Sequence, residues 1–297
     1  MRRLAIIGGV LGVLLAFGCE PDGAPGARRA ILEEHVPRVK ELLRQDREKH
    51  WEAIQEAAER IGPGFAVEPP ASREAQMRVA LRRVQELPRG IAGLVVSPIS
   101  FLAAVDADGT VIARDVSDED DTMQGQDFAE RFPPVAAGLE SGTPQMALVT
   151  FDTEENAEED VNRSSLMFVG PAHRNGEVAG AAVCGIPLWR EAQRLSRQIR
   201  VDLAPQIEAG LIVWVLMYQG DDLIVPPDAP TEITSQLPDQ ATLFAKLDQE
   251  PNGYTGEFNA FQKWYGYAVV PTPSFGEDVG IIVLRAGEGS GEAEAAE

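Results

Sequence analysis

The sequence predicts an α+β protein in which a long N-terminal helix precedes two modules, each an antiparallel β-sheet with a covering helix. Apolar residues recur at helical spacing through residues 30–61. Alternating apolar runs then follow the order β-β-α-β-β-β between residues 99 and 188. The same order returns, in diverged form, after residue 211. A repeat of this kind indicates two copies of one structural unit, and this decides the predicted architecture.

The long helix is expected to begin or bend at Pro37, because proline cannot donate a backbone hydrogen bond inside a helix. Gly62-Pro-Gly64 is expected to end it. Two roles remain open, a stalk that packs along the sheet domain and a dimerisation helix. The interruptions at Arg47 and His50 favour packing, because they break a continuous coiled-coil seam. The apolar stripe comprises Leu32, Val36, Val39, Leu43, Ile54, Ala57 and Ile61.

The first module follows a short helix over residues 73–86 and contains two tight turns. Asp108-Gly109 separates its first two β runs, and Asn175-Gly176 separates its last two. Both dipeptides favour hairpin turns that need positive φ. Cys184 lies in the last apolar run and is expected to be a small buried side chain. The later elements are a helix over 127–141 and β runs over 145–152, 164–174 and 177–186.

The second module follows a connecting helix over residues 187–207 and repeats the strand order of the first. Its aromatic residues are expected to be core or sheet-edge packing, because a packed sheet face readily holds such rings. The aromatic group comprises Phe258, Phe261, Trp264, Tyr265 and Tyr267. The predicted elements are β runs over 211–219 and 223–225, a helix over 239–248, and β runs over 253–261, 263–271 and 279–285.

The N-terminus has the pattern of a bacterial export signal. Met1-Arg-Arg is followed by the uncharged run Leu4–Phe17, which is shorter than the roughly 20 residues of a membrane span and fits a secretory signal. Leu15-Ala-Phe-Gly-Cys19 resembles a lipobox, which implies that Cys19 carries a lipid, although Leu15 and Phe17 depart from the usual pattern. The alternatives are an ordinary cleaved signal and an uncleaved anchor. No second apolar run is long enough for a return across the membrane.

Two hairpin motifs of the first module follow the long helix. They are Val105-Asp-Ala-Asp-Gly-Thr-Val-Ile-Ala-Arg114 and Gly170-Pro-Ala-His-Arg-Asn-Gly-Glu-Val-Ala-Gly-Ala-Ala182. Together with the helix, these motifs resemble the extracytoplasmic Cache domains, the PAS-like sensor modules of bacteria. The resemblance covers residues 28–190 well, and the repeat after them implies a double Cache arrangement. In this family a ligand lies between one sheet face and the helix and loop that cover it.

Five residues of the first module are candidate ligand contacts on this interpretation. Arg114 would neutralise a carboxylate with two parallel hydrogen bonds. The three phenylalanines have an alternative role as plain core, and His173 has one as a surface turn residue. The Tyr…Arg-x-Trp-Tyr…Asp pattern of amino-acid-binding double Cache domains is absent from the sequence, so an amino acid ligand is not supported. The candidates are Phe101, Arg114, Phe151, Phe168 and His173.

Composition and motifs argue against catalysis, nucleic acid binding and metal binding. The formal net charge of −21 repels nucleic acid. No serine hydrolase, P-loop or metalloprotease motif is present, so neither enzyme activity nor a cofactor is expected. His35, His50 and His173 show no metal-ligand spacing, and the first two are expected to be solvated. The acidic stretches 115–127 and 152–160 lack the spacing of an EF-hand and predict solvated loops.

These observations predict a sensor lipoprotein of the cell envelope that is anchored to a bacterial membrane, faces outside the cytoplasm, binds a small organic ligand and signals through an envelope protein partner. The lipid on Cys19 would be its membrane contact. The alternative is a structural or interaction lipoprotein that is not an enzyme and has no small-molecule ligand. The predicted organisation is a signal peptide over 1–18, a linker over 19–27, the stalk and first module over 28–190, the connecting helix and second module over 191–285, and a disordered acidic tail over 286–297.

Overall fold

The computed structural model describes residues 24–86, 100–116, 122–151 and 164–287. The predicted signal peptide, Cys19 and most of the linker lie outside the described residues. Most of the predicted acidic loops, at residues 117–121 and 152–163, and nearly all of the predicted C-terminal tail also lie outside them.

The predicted long helix is confirmed, but it is divided by a π-helical turn. Helix α1 (Ala24–Ala30) leads into the π turn Ile31–His35, and α2 (Val36–Ile61) follows, with Pro37 in its first turn. The wider π turn changes which side chains point inward. Leu32, which we predicted in the apolar stripe, is therefore 50% exposed, and its neighbour Ile31 is buried instead. A 3₁₀ turn and α3 (Pro70–Glu86) follow.

The first sheet has the predicted element order and is antiparallel throughout. Its strands lie in the order β2-β1-β5-β4-β3. The predicted covering helix is confirmed as two short helices, α4 and α5, which are separated at Phe132. The elements are β1 (Phe101–Asp106), β2 (Val111–Arg114), α4 (Phe128–Arg131), α5 (Pro133–Ser141), β3 (Gln145–Thr150), β4 (Ser164–Arg174) and β5 (Glu177–Pro187).

The second sheet repeats this topology, with the strand order β7-β6-β10-β9-β8. The predicted connecting helix is confirmed as α6 (Leu188–Asp202) and α7 (Ala204–Glu208). The four-residue helix α8 (Thr231–Thr234) was not predicted, because one turn is too short to show a period. The other elements are β6 (Val213–Gln219), β7 (Asp222–Ile224), α9 (Gln240–Gln249), β8 (Tyr254–Ala260), β9 (Lys263–Pro271) and β10 (Val279–Ala286).

The first hairpin turn explains part of the sequence motif on which the family resemblance rests. The Asp106 carboxylate accepts hydrogen bonds from the backbone N–H groups of Asp108 (3.1 Å) and Thr110 (2.9 Å). Gly109 has φ +91°, a conformation that L side chains rarely adopt. A Cβ at Gly109 would also lie 2.2 Å from the Cβ of Ala129, so the glycine lets α4 approach the turn. The geometry of the turn therefore explains why the motif has an aspartate at Asp106 and a glycine at Gly109.

Each sheet has an inner face and an outer face, and the two inner faces share one apolar core. We call inner the face of the first sheet that α2 covers and the face of the second sheet that α1 and α6 cover. The outer faces are covered by α4 and α5 in the first sheet and by α9 in the second. Helix α2 approaches β4 closely at Gly170, where a Cβ would lie 2.9 Å from the Ile54 carbonyl oxygen. The apolar face of α2 is thus used for packing against the first sheet.

The expectation that His35 and His50 are solvated was wrong, because both are buried. His50 lies one turn after the buried Asp46 on the inward side of α2, and its ring is 5.6 Å from that of Phe168. The polar residue types at these positions suggested that the apolar stripe of the long helix is interrupted. The helical spacing from Leu42 through Asp46 to His50 would instead have placed both polar residues on the buried face.

Candidate functional site

The outer face of the first sheet holds four phenylalanine rings, which we call the aromatic cluster. Phe101 on β1 and Phe151 after β3 come from the sheet side, and Phe128 and Phe132 come from the covering helices. The ring centroids are 6.3 Å apart for Phe101 and Phe128, 5.1 Å for Phe128 and Phe132, 4.8 Å for Phe132 and Phe151, and 5.7 Å for Phe151 and Phe101. The four rings therefore form a closed loop of contacts between the sheet and its helices.

Arg114, at the end of β2, places its guanidinium 5.7 Å from the centroid of the Phe101 ring. Its side chain is only 13% exposed. Simple alternation along β2 would place Arg114 and Val111 on opposite faces. A bulge in the pairing of β1 with β2 shifts the register, so that Arg114 pairs with Ala103 and Val111 pairs with Val105. The bulge thereby brings the cation to the outer face.

Asp115 follows Arg114 and is buried, so the prediction that it belongs to a solvated loop was wrong. Its Oδ1 lies 3.9 Å from Nη2 of Arg114. Helix α3 supplies two further contacts, because Gln85 Nε2 donates to Asp115 Oδ2 (3.3 Å) and Arg82 Nε donates to the Asp115 carbonyl oxygen (2.8 Å). Burial raises the pKa of the Asp115 carboxyl group. Residue type alone gave no signal for this position.

The candidate residues from the sequence divide into a group and two separate positions. Phe101, Arg114 and Phe151 meet on the outer face of the first sheet. Phe168 points to the inner face, where its ring lies 5.0 Å from that of Trp51 in an edge-to-face contact. His173 is exposed near the end of β4. Only the first three residues can therefore contribute to one site.

A second set of buried charges lies between α2 and α6. Asp46, Glu191 and Arg194 are all buried, and Nη2 of Arg194 is 2.7 Å from Oδ1 of Asp46. That contact lacks hydrogen-bond geometry. Burial, together with the nearby charge of Glu191, raises the pKa of Asp46 to about 9, and burial also raises the pKa of Glu191. Asp46 therefore stays protonated at neutral pH.

A third buried contact joins the π turn to the second sheet. Arg285 on β10 donates from Nη1 to Nε2 of His35 at 2.7 Å. Burial and the neighbouring positive charge lower the pKa of His35 to about 4, so the imidazole is neutral and can accept this hydrogen bond. His35 lies in the π turn, which has no signal in the sequence.

The outer face of the second sheet carries tyrosines where the first carries phenylalanines. Phe258 stacks on Tyr265 at 5.1 Å, and Tyr254 donates its hydroxyl hydrogen to the Leu243 carbonyl oxygen at 2.9 Å. Burial raises the pKa of Tyr218 to about 12. These residues confirm the expected core packing of Phe258, Tyr265 and Tyr267. Two members of the predicted aromatic group, Phe261 and Trp264, are exposed instead.

Neither set of buried charges forms a metal centre. Among the residues that the structure describes, no three or more potential ligands of the His, Cys, Asp or Glu type are arranged to hold a metal ion. Within the described ranges, no helix combines the length and the apolar character that crossing a membrane requires. The first-sheet group around Arg114 is the candidate site, because it combines a cation of low exposure with aromatic rings on one face.

Comparison with known proteins gives similarity at the level of the fold. No protein family model matches the chain, and no curated protein matches it. A domain of a sensory box/GGDEF family protein from Vibrio parahaemolyticus superposes with a TM-score of 0.52 at 10% identity, covering 90% of this chain and 98% of that one. The ligand-binding domain of the Pseudomonas aeruginosa PAO1 amino acid chemoreceptor PctB, in complex with L-Gln, gives 0.47 at 16% identity, covering 90% and 94%. The sensor domain of the Vibrio cholerae histidine kinase DctB gives 0.42 at 13% identity, covering 86% and 97%. The strand order and the superposition on the Vibrio parahaemolyticus domain confirm the predicted fold, a long helix followed by two antiparallel sheets with covering helices.

Proposed function

We propose that this protein is an extracytoplasmic sensor lipoprotein that is anchored to a bacterial membrane by a lipid on Cys19, binds a small organic molecule and signals through an envelope protein partner. The observation that carries the proposal is the repeated five-stranded sheet behind one long helix, a fold shared with the Vibrio sensory domain. The lipobox-like sequence before Cys19 supports the anchor.

The ligand site that we propose is the outer face around Arg114, Phe101 and Phe151. The Arg114 side chain is 13% exposed, and its guanidinium lies 5.7 Å from the centroid of the Phe101 ring. A small carboxylate could form two parallel hydrogen bonds with such a cation. Its apolar part would then contact the phenylalanine rings. The ligand class is therefore a small organic acid with an apolar body.

A thermal-shift screen of residues 24–287, which contain both sheets, tests this site. Small carboxylates, amino acids, purines and divalent cations would be compared. A ligand that binds only the folded state stabilises it by about 2.7 kcal/mol at a hundredfold excess over Kd. We expect a carboxylate to raise Tm in the wild type and in Arg131→Ala, whose guanidinium lies over Phe132 on the same face.

The Arg114 variants decide whether that shift arises at the proposed site. Arg114→Ala should abolish the ligand-dependent increase in Tm, and Arg114→Lys should reduce it, because lysine cannot bind a carboxylate with two fixed donors. An equal shift in wild type and Arg114→Ala would place the ligand elsewhere. The absence of any shift would contradict small-molecule binding and favour the interaction lipoprotein.

The anchor is tested separately in a bacterial host. We expect a clickable fatty acid to label the wild-type chain and leave Cys19→Ala unlabelled. The wild-type chain should remain with the membrane fraction after a high-salt wash. Equal labelling of both chains, or release of the wild type by salt, would contradict lipidation at Cys19.

One observation favours the alternative function, an interaction lipoprotein without a ligand. Phe101, Phe128 and Phe132 are buried and fill much of the space between the first sheet and its helices. A filled face of this kind stabilises a scaffold and leaves the exposed surfaces for protein contacts. Crosslinking in the envelope, followed by identification of the captured chain, would distinguish this function if the ligand screen gives no shift.

A further inference from the structure

The hairpin between β8 and β9 carries two large apolar side chains into solvent. Phe261 is 63% exposed and Trp264 is 45% exposed. With Gln262 and Lys263 they form one continuous segment, Phe261–Trp264, which we call the hairpin tip. Most aromatic residues of the second sheet are buried, so the tip is an exception within its own sheet.

The tip has an unusual turn for residues of this size. Phe261 and Gln262 have φ values of +53° and +60°, a conformation in which hairpins generally use Asn-Gly or Asp-Gly. A phenylalanine with this φ value is strained, and the strain lowers the stability of the turn. Since Phe261 makes little apolar contact in the folded chain, the fold itself gives no reason for it.

The tip lies beside the first described helix. A Cβ at Gly266 would lie 3.0 Å from the backbone nitrogen of Arg28 and 3.2 Å from Cβ of Ala27, so α1 crosses β9 at this residue. Trp264 precedes Gly266 by two positions and therefore points to the same face. Nε of Arg28 also lies 3.3 Å from Oε2 of Glu257 on β8. Helix α1, at Ala27 and Arg28, thus packs beside the two strands that carry the tip.

The position of Cys19 limits how far the tip can be from a membrane anchor. Cys19 precedes Ala24, the first described residue, by five positions. Because an extended chain spans at most 3.6 Å per residue, a lipid on Cys19 would be within about 18 Å of the start of α1.

The charge of the tip also differs from that of the whole chain. From Phe258 to Phe275 the one charged residue is Lys263, although the protein has a net charge of −21. A segment without acidic residues avoids the repulsion that anionic lipid head groups would exert on the rest of the surface. Tryptophan and phenylalanine beside a lysine are side chains that favour the interface between lipid and water.

We propose that the hairpin tip inserts Phe261 and Trp264 into the interface of the lipid bilayer to which the chain is anchored. This proposal rests on the lipid anchor of the proposed function. A lipid and an aromatic hairpin would give two points of attachment, and together they would hold the second sheet against the membrane in one orientation. The partner that binds the hairpin tip is thus a phospholipid bilayer.

Tryptophan quenching in vesicles tests the insertion. The full chain, purified from bacterial membranes, would be reconstituted in phosphatidylcholine vesicles with and without bromine on the acyl chains, and flotation would measure how much is bound. We expect brominated lipid to lower the tryptophan fluorescence of the wild type. Trp264→Phe should remove at least half of that decrease. The matched control, Trp51→Phe on α2, should retain it.

Three outcomes would overturn the proposal. Flotation with equal quenching of wild type and Trp264→Phe would leave the anchor in place and exclude insertion of the tip. Failure of the wild type to float would contradict the anchor and the tip contact together. Crosslinking of the wild type, but not of Phe261→Ser, into dimers on unbrominated vesicles would assign the tip to a second copy of the chain.

Discussion

The two sheets of this protein have the same topology and different chemistry. Both place their strands in the order 2-1-5-4-3 within the module, and both are antiparallel. The outer face of the first sheet is built from phenylalanine with Arg114 beside it, whereas the outer face of the second is rich in tyrosine. Strand order therefore fixes where a face lies, and the side chains on that face vary independently of it.

The buried polar groups of the shared core also differ from one another. Two carboxyl groups and one arginine lie between α2, which covers the first sheet, and α6, which covers the second. A histidine and one arginine join the π turn to β10 of the second sheet. Burial favours the neutral form in both cases, so Asp46 retains a proton and His35 releases one. These two sets of buried groups should therefore make the stability respond to pH in opposite directions.

The largest difference that we predict concerns the covering helices. Phe128→Ala should lower the free energy of unfolding by about 4 kcal/mol, because the ring is fully buried and contacts Phe101 and Phe132. Phe244→Ala, its counterpart on α9, should cost less, because Phe244 is 7% exposed and contacts the ring of Tyr218. Urea unfolding measures both. A larger loss for Phe244→Ala would reverse the comparison, and Phe261→Ala is the exposed control.

Arg194 should have the next largest effect. Arg194→Leu should destabilise the protein by about 3 kcal/mol, because it leaves two buried carboxyl groups without their cation. Arg197→Leu, one turn further along α6 and mostly exposed, is the matched control and should change stability by less than about 1 kcal/mol. Equal losses in urea unfolding would show that the buried position of Arg194 has no special role.

Asp46 should make stability depend on pH over a wide range. Its pKa is about 9 in the folded protein and near 3.8 when unfolded, so between these values the folded state binds the extra proton. The free energy of unfolding should therefore decrease as pH rises from about 4 to 9. Asp46→Asn should remove most of this slope in urea unfolding at a series of pH values. An unchanged slope would exclude Asp46 as its source.

His35 should have a smaller effect with the opposite sign. Its pKa is about 4 in the folded protein and 6.5 as the ordinary value, so between these values the unfolded state binds the extra proton. Stability should decrease as pH falls from about 6.5 to 4. His35→Gln should reduce the change in the free energy of unfolding between pH 4 and 6.5, whereas Asp46→Asn, which keeps His35, should retain the contribution of His35. Equal slopes in wild type and His35→Gln over this pH range would contradict the prediction.

Much of the fold could be predicted because its signals are local. The turns at Asp108-Gly109 and Asn175-Gly176 use residues that tolerate positive φ, and both are hairpin turns in the structure. The boundaries of β4 over 164–174 were predicted without error. The four-residue helix α8 was missed, since one turn is too short for a periodic pattern.

The candidate site was predicted less well, because its members come from separate elements. The sequence suggested Phe101, Arg114 and Phe151, which the structure brings together, but it also suggested Phe168 and His173, which lie elsewhere. Phe168 is separated from the site by the pleat, since Met167, not Phe168, shares the face of Phe101. The bulge in β2 that turns Arg114 to the outer face has no signal in the sequence.

The sequence by itself determined the order of the elements, the hairpin turns and the repetition of one module, because residue spacing and turn chemistry act over a few residues. The tertiary structure alone decided which face of each strand is covered and which polar groups meet. Asp46 and Arg194, or His35 and Arg285, come from distant parts of the chain. Their burial, and hence their shifted pKa values, arises only when the helices pack against the sheets.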